Sequence, residues 1–400
     1  MRIEITVGPK QADIVGSSHL ALQAAVDYVS ALGGGTVRIL PGSYDMRNSL
    51  FLRSNLRLVG SGEDTVLRKN RCEVTRLIED LDWYGTVVPV ADPSLFEVGG
   101  ALLLRGLSPH SQAPQFIKCT VVAIEGNLVH LSRDTRTNFW IEAEAEATTL
   151  FPVITGDNVN DLTIESLTVD GNRAENENLN GNYGGCVFLQ DCDRVTVRDC
   201  TLRDYNGDGV SWQVCDDVTI DGCRSLNNAD LGLHPGSGSQ RPVITGNTIR
   251  GCNIGLFWCW GVKHGLASGN VIEDSGQYGT SIGHRDTDNV MRDNIIRRSG
   301  VSGVLFREHP HPGRDPHRNL LERNLIEDSG LKGDCVAIEM LGASEDVVLR
   351  DNRLVDTRRK AKSRHRIGVR VGKGITGLTL SGNCFEGLDT DLVDQRSEPQ

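Results

Sequence analysis

Aromatic residues are scarce in this chain: Phe, Trp and Tyr together make up only 5% of its 400 residues. Glycine, in contrast, occurs 45 times, which is about 11% against a usual frequency of about 7%. This combination disfavours a large helical core and indicates many turns. With 38% hydrophobic and 24% charged residues, the composition is that of a folded protein and not of a disordered one.

The chain also lacks an excess of positive charge. Lys and Arg total 42, Asp and Glu total 53, and the net charge is −11. A general nucleic-acid binder is normally basic overall or in one domain. Here a short basic run at residues 358–366 stands out, and such a run is more typical of a solvated loop. We therefore expect no nucleic-acid partner.

Long apolar runs are missing as well. No stretch approaches the about 18 apolar residues of a membrane span, so no membrane partner is expected. The first ten residues lack the apolar segment of a secretory signal, which predicts a cytoplasmic protein as numbered, or a secreted or periplasmic one if a signal has been trimmed. The 11 cysteines include no Cys-x-x-Cys pair, so we expect reduced, buried thiols and no zinc ribbon.

An internal repeat is the strongest signal in the chain. An apolar stretch, then Cys or Asn, then an apolar pair recurs in segments such as VTVRDCTL, PVITGNTI and NVMRDNII. The spacing of 23 or 24 residues, lengthened to 28–31 near the end, predicts one coil of a parallel β-helix per period, with a stacked column that acts as a structural ladder. The column positions are Cys200, Cys223, Asn247, Asn270, Asn294, Asn324, Asn352 and Asn383.

A second strand in each period alternates apolar residues with other types, which separates inward from outward side chains. We expect Phe188, Trp212 and Trp258 to point inward and to pack in the core. The outward positions then gather unlike functional side chains on one exterior strip. This strip includes Ser211, Gln213, His234, Phe257, Cys259, Ser281, Arg307, Glu339 and Arg370.

The first 150 residues differ from the coils. Apolar residues at helical spacing between Ser18 and Leu32, followed by three glycines, predict a helix that caps the open end of the solenoid. Residues 70–150 break the period, which predicts a small β-rich insertion. The expected architecture is an all-β, right-handed parallel β-helix. Its parts are the cap and first coils at 1–69, the insertion at 70–150 and the coils with the groove at 151–400.

The N-terminal region carries a family resemblance. The segment ADIVG at 12–16, the segment LALQAAVDYVSALGGGTVRILPGSYDM at 20–46 and NLRLVG at 55–60 resemble the first module of the pectate-lyase-like superfamily of right-handed parallel β-helix proteins. The coils from about 150 to 395 fit the same superfamily. It includes polysaccharide lyases, glycoside hydrolases, uronate epimerases and phage tailspikes, so the resemblance implies a carbohydrate-directed protein without fixing one reaction.

Basic and aromatic residues concentrate between residues 206 and 309, which favours a polysaccharide lyase. β-Elimination on a uronate-containing chain needs a base, an acid and cationic neutralisation of the carboxylate. We predict that His234 or His284 transfers protons and that Arg307 or Arg285 holds the carboxylate. Asp286 is expected to orient His284 or Arg285 and to raise a histidine pKa. The predicted substrate-binding residues are Gln213, Trp260, Lys263, His264, Arg285, Asp286 and Glu308, with Trp260 stacking on a sugar.

Hydrolysis is the alternative reaction, and it needs two carboxyl groups. Asp208 and Asp230 precede equivalent strands, 22 residues apart, and should lie on neighbouring coils. This pair resembles the polygalacturonase family, in which an Asn-Thr-Asp coil is followed by an Asp-Asp coil. Gly207 and Ala229 replace family residues, and the family's Gly-His-Gly and Arg-Ile-Lys motifs are missing, so its mechanism is not transferred. A non-catalytic glycan-binding or tailspike-like protein is a further alternative.

The predicted partner is a polysaccharide or oligosaccharide. The clustered Asp residues of calcium-binding lyases are not evident, so no cofactor or metal is predicted, although Ca²⁺ is a possible ligand. The sequence leaves open the sugar and linkage, internal or terminal action, cleavage or epimerisation, and whether the protein is a monomer or a homotrimer.

Overall fold

The computed structural model describes residues 3–108, 110–311, 313–332, 334–358 and 365–397. These residues form a right-handed parallel β-helix, which confirms the predicted fold class. Each coil passes through three parallel sheets, and residues of one coil pair with those of the next. Residues 359–364 of the basic run lie outside the described residues. In the described part of the chain, no helix has the length and apolarity that a membrane-spanning segment needs.

The first sheet has 13 strands in the described chain. In spatial order these are Ile14–Val15, Ile3–Gly8, Gly35–Ile39, Leu56–Val59, Asn160–Glu165, Asp193–Arg198, Thr219–Asp221, Val243–Thr245, Leu266–Ser268, Val290–Arg292, Leu320–Glu322, Val348–Arg350 and Thr379–Ser381. All of its pairings are parallel; for example, Val195 pairs with Leu162 of the preceding coil.

The second sheet follows the first around each coil. Its described strands are Gly42–Met46, Thr65–Lys69, Thr168–Asp170, Thr201–Arg203, Arg224–Leu226, Thr248–Arg250, Val271–Glu273, Ile295–Arg297, Leu325–Glu327, Arg353–Val355 and Cys384–Glu386. Most of them are three residues long, because the chain turns again after one inward side chain, such as Ile249 or Ile272.

The third sheet carries the candidate site. Its described strands are Leu50–Phe51, Ile154–Asp157, Val187–Gln190, Val210–Gln213, Leu231–Pro235, Ile254–Phe257, Tyr278–Ile282, Ser302–Phe306, Cys335–Met340, Arg366–Val371 and Thr390–Asp394. These strands are mostly longer than those of the second sheet. They therefore provide two outward side-chain rows beside the buried ones.

A six-stranded antiparallel sheet interrupts the coils between residues 74 and 148. Its spatial order is Val74–Arg76, Glu146–Thr148, Ala101–Leu107, Pro114–Glu125, Leu128–Leu131 and Val87–Pro89. The sheet has an apolar cluster of its own that includes Leu104, Val121 and Phe139. Short 3₁₀ turns occur at Gly62–Asp64, Pro93–Leu95, Ile141–Ala143, Arg173–Glu175 and Gln395–Ser397.

One α-helix, His19–Ala31, lies against the first coils of the described chain, as predicted. It buries Leu22, Ala25, Val26 and Val29, and Gly33 and Gly34 after it have positive φ. Leu20 and Leu32 are exposed, however, so the buried stripe is narrower than the apolar spacing predicted.

Buried asparagines join consecutive coils, which confirms the predicted ladder. The backbone N–H of each ladder residue donates to the side-chain oxygen of the next, from Cys223 to Asn383. The Asn side-chain nitrogens donate to main-chain carbonyls of the preceding coil, as Asn247 does to Ile220 O at 2.9 Å. All 11 cysteines are free and eight are buried, whereas Cys72 and Cys259 are half-buried and Cys384 is exposed.

Candidate functional site

A groove of about 800 Å³ lies on the outward face of the third sheet. It spans the coils of strands Val210–Gln213, Leu231–Pro235 and Ile254–Phe257. Its polar and aromatic lining residues are Asn178, Asn180, Asn182, Tyr183, Gln190, Asp208, Gln213, Asp230, His234, Ser237, Asn253, Phe257 and Trp260.

Side chains along the strands of the third sheet point alternately inward and outward, and the outward ones form the floor of this groove. Backbone register aligns Ser211 with His234, and Phe257 with Ser281, in one outward row. Trp212 and Trp258 are fully buried in the core, as predicted. The prediction for Phe188 was wrong: Phe188 pairs with Ser211 and so belongs to the outward row, where the Lys118 ammonium covers its ring at 4.1 Å.

Asp208 and His234 form a hydrogen-bonded pair in the groove. His234 Nδ1 lies 2.8 Å from Asp208 Oδ2 and 3.2 Å from Ser211 Oγ. Ser211 Oγ donates to Gly181 O at 2.6 Å, and Asp208 is the charged acceptor, so the network assigns the proton on Nδ1 to the bond with Asp208. His234 Nε2 has no hydrogen-bond partner among the described residues. It is left as the acceptor nitrogen of the neutral ring.

The pair is deeply buried. Asp208 is inaccessible and His234 is 5% exposed. Burial raises the pKa of Asp208, while the hydrogen bond from His234 opposes that rise. Asp230 is half-buried on the neighbouring coil, as expected from its spacing, and its charge also raises the pKa of Asp208. The structure thus brings His234, Asp208 and Asp230 together in one groove.

The segment 178–183 forms one wall of the groove, and sequence reasoning missed it. A side chain at Gly181 would collide with the Asp208 carboxylate, so the segment packs directly on that group. Asn178 Nδ2 donates to Asp230 Oδ2 at 2.8 Å. The sequence does contain a signal of this wall. Leu162 and Val195 pair at a separation of 33 residues, so this coil is about ten residues longer than the next. The additional residues include the Asn-rich stretch ENENLNGNYGG.

A second depression of about 640 Å³ adjoins the groove. The two share Trp260, Val214 and Ser237, and the Trp260 side chain stands between them with 47% of its surface exposed. Lys263 and Arg285 line the second depression and are exposed. Neither side chain forms an ion pair with any described residue. The predicted cationic residues therefore lie beside the groove that contains His234, not inside it.

His284 lies against Trp260 and not beside His234. Its ring stacks on Trp260 with centroids 4.3 Å apart, and it meets His309 edge-on at 4.2 Å. Burial, followed by the charge of Arg307, lowers the pKa of His284 to about 4. His284 is therefore neutral at neutral pH, and its buried Nδ1 has no partner among the described residues.

Asp286 does not have the predicted role. Its carboxylate accepts hydrogen bonds from Val262 N at 2.9 Å and Gly283 N at 2.8 Å, so it closes a corner of the solenoid and contacts neither the His284 nor the Arg285 side chain. The predicted rise in a histidine pKa is also wrong for His284, whose pKa falls. Burial raises the pKa of Asp286 itself to about 7.

The Arg307 guanidinium is largely occupied by internal partners. It donates to Ser281 Oγ at 2.7 Å and to the Trp258 carbonyl at 2.6 Å, and it lies 3.5 Å from Asp286 Oδ2. Its planar group also lies 4.3 Å from the Phe257 ring, on the floor of the groove. This geometry supports the groove from below, and it leaves Nε as the buried nitrogen without a partner in the described chain.

The remaining predicted residues fall in different places. Gln213 lines the groove, donates to Ser211 Oγ at 3.0 Å and accepts from Ser237 N at 2.9 Å. His264 is exposed at a corner with φ 57°. Glu308 is exposed just after strand Ser302–Phe306. Among the residues that the structure describes, no group of three or more His, Cys, Asp or Glu side chains is arranged to hold a metal ion.

The stacked coils define a right-handed parallel β-helix protein. The family model for the right handed beta helix region matches residues 110–253 and 185–354, and the chain belongs to this family. A search of the curated proteins finds no match to the chain.

Several solved structures share this fold at low sequence identity. The A-module of the mannuronan C-5 epimerase AlgE4 from Azotobacter vinelandii is 13% identical, with a TM-score of 0.54 and 97% of each chain covered. PfbA, a surface adhesin of Streptococcus pneumoniae, is 12% identical, with a TM-score of 0.53 and coverage of 95% of this chain and 89% of its own. A hyperthermoactive exopolygalacturonase from Thermotoga maritima is 12% identical, with a TM-score of 0.50 and coverage of 92% and 88%. At such identities the likeness extends to the fold alone.

Proposed function

We propose that this protein is a carbohydrate-active enzyme that cleaves a uronate-containing chain by β-elimination, with His234 as the catalytic base. The observation that carries the proposal is the buried Asp208–His234 pair in the groove. Asp208 fixes Nδ1, and Nε2, which has no hydrogen-bond partner in the described chain, is left to accept a proton. A carboxylate behind an imidazole also stabilises the imidazolium that forms during proton transfer.

The proposed reaction begins with transfer of the sugar C5 proton to His234 Nε2. The electron pair of the C5–H bond then forms the C4–C5 double bond, and the C4–O bond to the neighbouring sugar breaks. The departing oxygen keeps that bond's electron pair and takes up a proton. Tyr183, a half-buried phenol that lines the same groove, is the proposed acid.

The proposed anionic substrate is supported by the charges beside the groove. Lys263 and Arg285 are exposed and have no ion-pair partner in the described chain, although the protein carries a net charge of −11. A polyanion would bind such a pair, and the exposed Trp260 ring offers a plane on which a sugar can stack. In the groove itself, amide groups such as that of Asn180 would bond the carboxylate of the reacting sugar.

Hydrolysis is the second candidate because Asp208 and Asp230 lie on neighbouring coils along one groove. In that reaction both carboxyl groups must contact the glycosidic bond or a water molecule beside it. The inaccessible Asp208 carboxylate is bonded to His234 and covered by Gly181, which supports a positioning role and not direct contact with substrate. Elimination is therefore the favoured reaction.

A non-catalytic glycan binder is the remaining alternative, and the fold is shared with the PfbA adhesin. Binding of a sugar needs accessible hydrogen-bonding groups and an aromatic plane, but it gains nothing from an inaccessible carboxylate behind a histidine. Burying Asp208 costs free energy, because the pKa of that group is raised. A proton-transfer role accounts for retaining the pair at the site.

The test compares three variants on a panel of uronate-containing polysaccharides. Asp208→Asn and His234→Gln should each lower kcat by between about 100-fold and 10,000-fold, the usual contribution of general acid–base catalysis. Asp230→Asn is the matched carboxylate control on the neighbouring coil and should lower kcat less. Ultraviolet absorbance of the unsaturated sugar and reducing ends are followed together, and circular dichroism checks the fold.

The products distinguish the alternatives. Absorbance and reducing ends rising together support elimination. New reducing ends without absorbance, with Asp230→Asn as inactive as Asp208→Asn, would establish hydrolysis instead. Binding without either product, unaffected by His234→Gln, would leave a glycan-binding protein. A change in sugar configuration without cleavage would mean that the same proton abstraction ends in epimerisation.

A further inference from the structure

We infer that the row of the groove that contains His234 is blocked at its N-terminal end and that it accepts the terminus of an anionic chain, whose body leaves across Trp260 toward Lys263 and Arg285. The inference rests on the proposed function and adds to it the mode of action, which is removal of sugars from a chain end. It follows from how the antiparallel insertion meets the groove.

The insertion supports the groove wall through two side chains of strand Pro114–Glu125. The Phe116 ring lies 4.4 Å from the ring of Tyr183, and Lys118 Nζ donates to the Tyr183 carbonyl at 2.9 Å. Lys118 is itself half-buried, and its loss of hydration lowers its pKa to about 8. The wall segment 178–183 is thus held between the insertion on one side and the Asp208–Ser211 floor on the other.

The outward row that contains His234 ends at this wall. One coil toward the N-terminus of His234, Ser211 is inaccessible and donates to Gly181 O at 2.6 Å. One coil further, Phe188 is only 2% exposed beneath Lys118. A sugar chain that lies over His234 therefore cannot continue along the same row in this direction.

The charges around the groove favour exit of an anionic sugar chain at the Trp260 end. The second outward row remains exposed at Gln190 and Asp157, so an anionic chain that left on this side would pass the Asp157 carboxylate. On the opposite side, Trp260 borders both the groove and the depression that holds Lys263 and Arg285. Lys118, the cation near Asp157, is half-buried, whereas Lys263 and Arg285 beyond Trp260 are exposed and can bind a polyanion.

The closing experiment measures binding and does not require turnover. Hexamers of galacturonate and of mannuronate, each with a bulky fluorophore on the reducing or the non-reducing end, are titrated into the His234→Gln variant. One of the two end-labelled forms should bind at least about tenfold more weakly than the unlabelled hexamer, because the labelled terminus cannot enter a blind end. The other labelled form should bind as the unlabelled hexamer does.

Variants of the wall and of the exit test the two halves of the inference. Phe116→Ala combined with Lys118→Ala should relax the wall and narrow the difference between the two labelled forms. Val122→Ala, an exposed site on the same strand, is the matched control and should leave that difference intact. Lys263→Ala with Arg285→Ala should weaken binding of hexamers more than binding of dimers.

The outcomes separate this inference from the proposed function. Equal binding of both labelled forms, or early mid-length products from the wild-type enzyme on a long chain, would overturn the blind end and leave the proposed reaction standing. Equal losses for hexamers and dimers in the Lys263 and Arg285 variant would overturn the exit path. Failure of every uronate hexamer to bind would overturn both this inference and the proposed substrate class.

Discussion

Removal of one ladder asparagine in the middle of the solenoid should cost about 4 kcal/mol of unfolding free energy. Asn270 is inaccessible. Its Oδ1 accepts from Asn247 N at 3.0 Å and from Asn247 Nδ2 at 2.9 Å, while its Nδ2 donates to Ile244 O and to Asn294 Oδ1, both at 2.9 Å. Asn270→Ala deletes these four bonds, and each is worth about 1 kcal/mol net.

The partners cannot recover these bonds from solvent. Asn247 and Asn294 are each 1% exposed, so the groups left without a partner stay buried and the loss should not fall much below this sum. Asn383 is the matched control at the ladder's end. It is half-buried, accepts twice from Asn352 and donates to Leu349 O, so water can replace part of what Asn383→Ala removes. We expect a loss of about 1 kcal/mol there.

Equilibrium urea unfolding, followed by far-ultraviolet circular dichroism and by tryptophan fluorescence, measures both variants. The dependence of the unfolding free energy on urea concentration must match that of the wild type before free energies are compared, since repeat proteins can lose cooperativity. A loss below about 1.5 kcal/mol for Asn270→Ala, or equal losses for Asn270→Ala and Asn383→Ala, would refute the additive reasoning. The ladder would then orient the coils without stabilising them.

Three further predictions concern titration and thiols. The His284 imidazole should titrate near pH 4 by NMR, and the stability that its low pKa provides should be complete above about pH 6.5 and be lost as the pH falls toward 4. Asp286 should act in the opposite sense, because its pKa is raised to about 7. Its contribution to the free energy of unfolding is largest below about pH 4 and is lost as the pH rises through 7. The difference in unfolding free energy between the wild type and Asp286→Asn, taken from urea unfolding, measures this contribution. A thiol reagent should modify exposed Cys384 in the native protein long before buried Cys186 or Cys200, and all 11 cysteines only after denaturation. Burial raises the pKa of Cys186, and contact with the Cys223 thiol, followed by burial, raises the pKa of Cys200.

The sequence predicted those features that repeat from coil to coil. A fixed spacing places Asn247, Asn270 and Asn294 above one another, and alternation along a strand separates Trp212 from Ser211, because both follow directly from backbone geometry. The same alternation gave a wrong orientation for Phe188, because the strand that contains it was aligned one residue out of register. Its coil contains the extra residues of the 178–183 wall, and aligning the strand on Gly185 instead of Cys186 shifted its register by one residue.

The site depends on contacts that no repeat specifies. Arg307 looked like a carboxylate ligand by residue type, but its side chain reaches back across two coils to the Trp258 carbonyl, and sequence spacing does not report the direction of a long side chain. The wall was missed because Phe116 and Tyr183 come from segments 67 residues apart, whose meeting depends on how the insertion folds back. Asp208 and His234 were both predicted as site residues, but for two alternative reactions. Their contact follows from the fold, because neighbouring coils supply the two residues.

The two candidate histidines show why neighbours matter more than residue type. His234 and His284 both lie at the third sheet, yet His234 is bonded to Asp208 with Asp230 nearby, whereas His284 lies close to Arg307 and Arg285. A carboxylate stabilises the imidazolium that a base becomes, and a guanidinium destabilises it. Only the first environment suits a base that must hold a proton during the reaction. His284→Gln should therefore disturb the Trp260 stack and raise KM, while kcat stays within a few-fold of the wild type. A loss of kcat equal to that of His234→Gln would refute the assignment of His234 as the sole base.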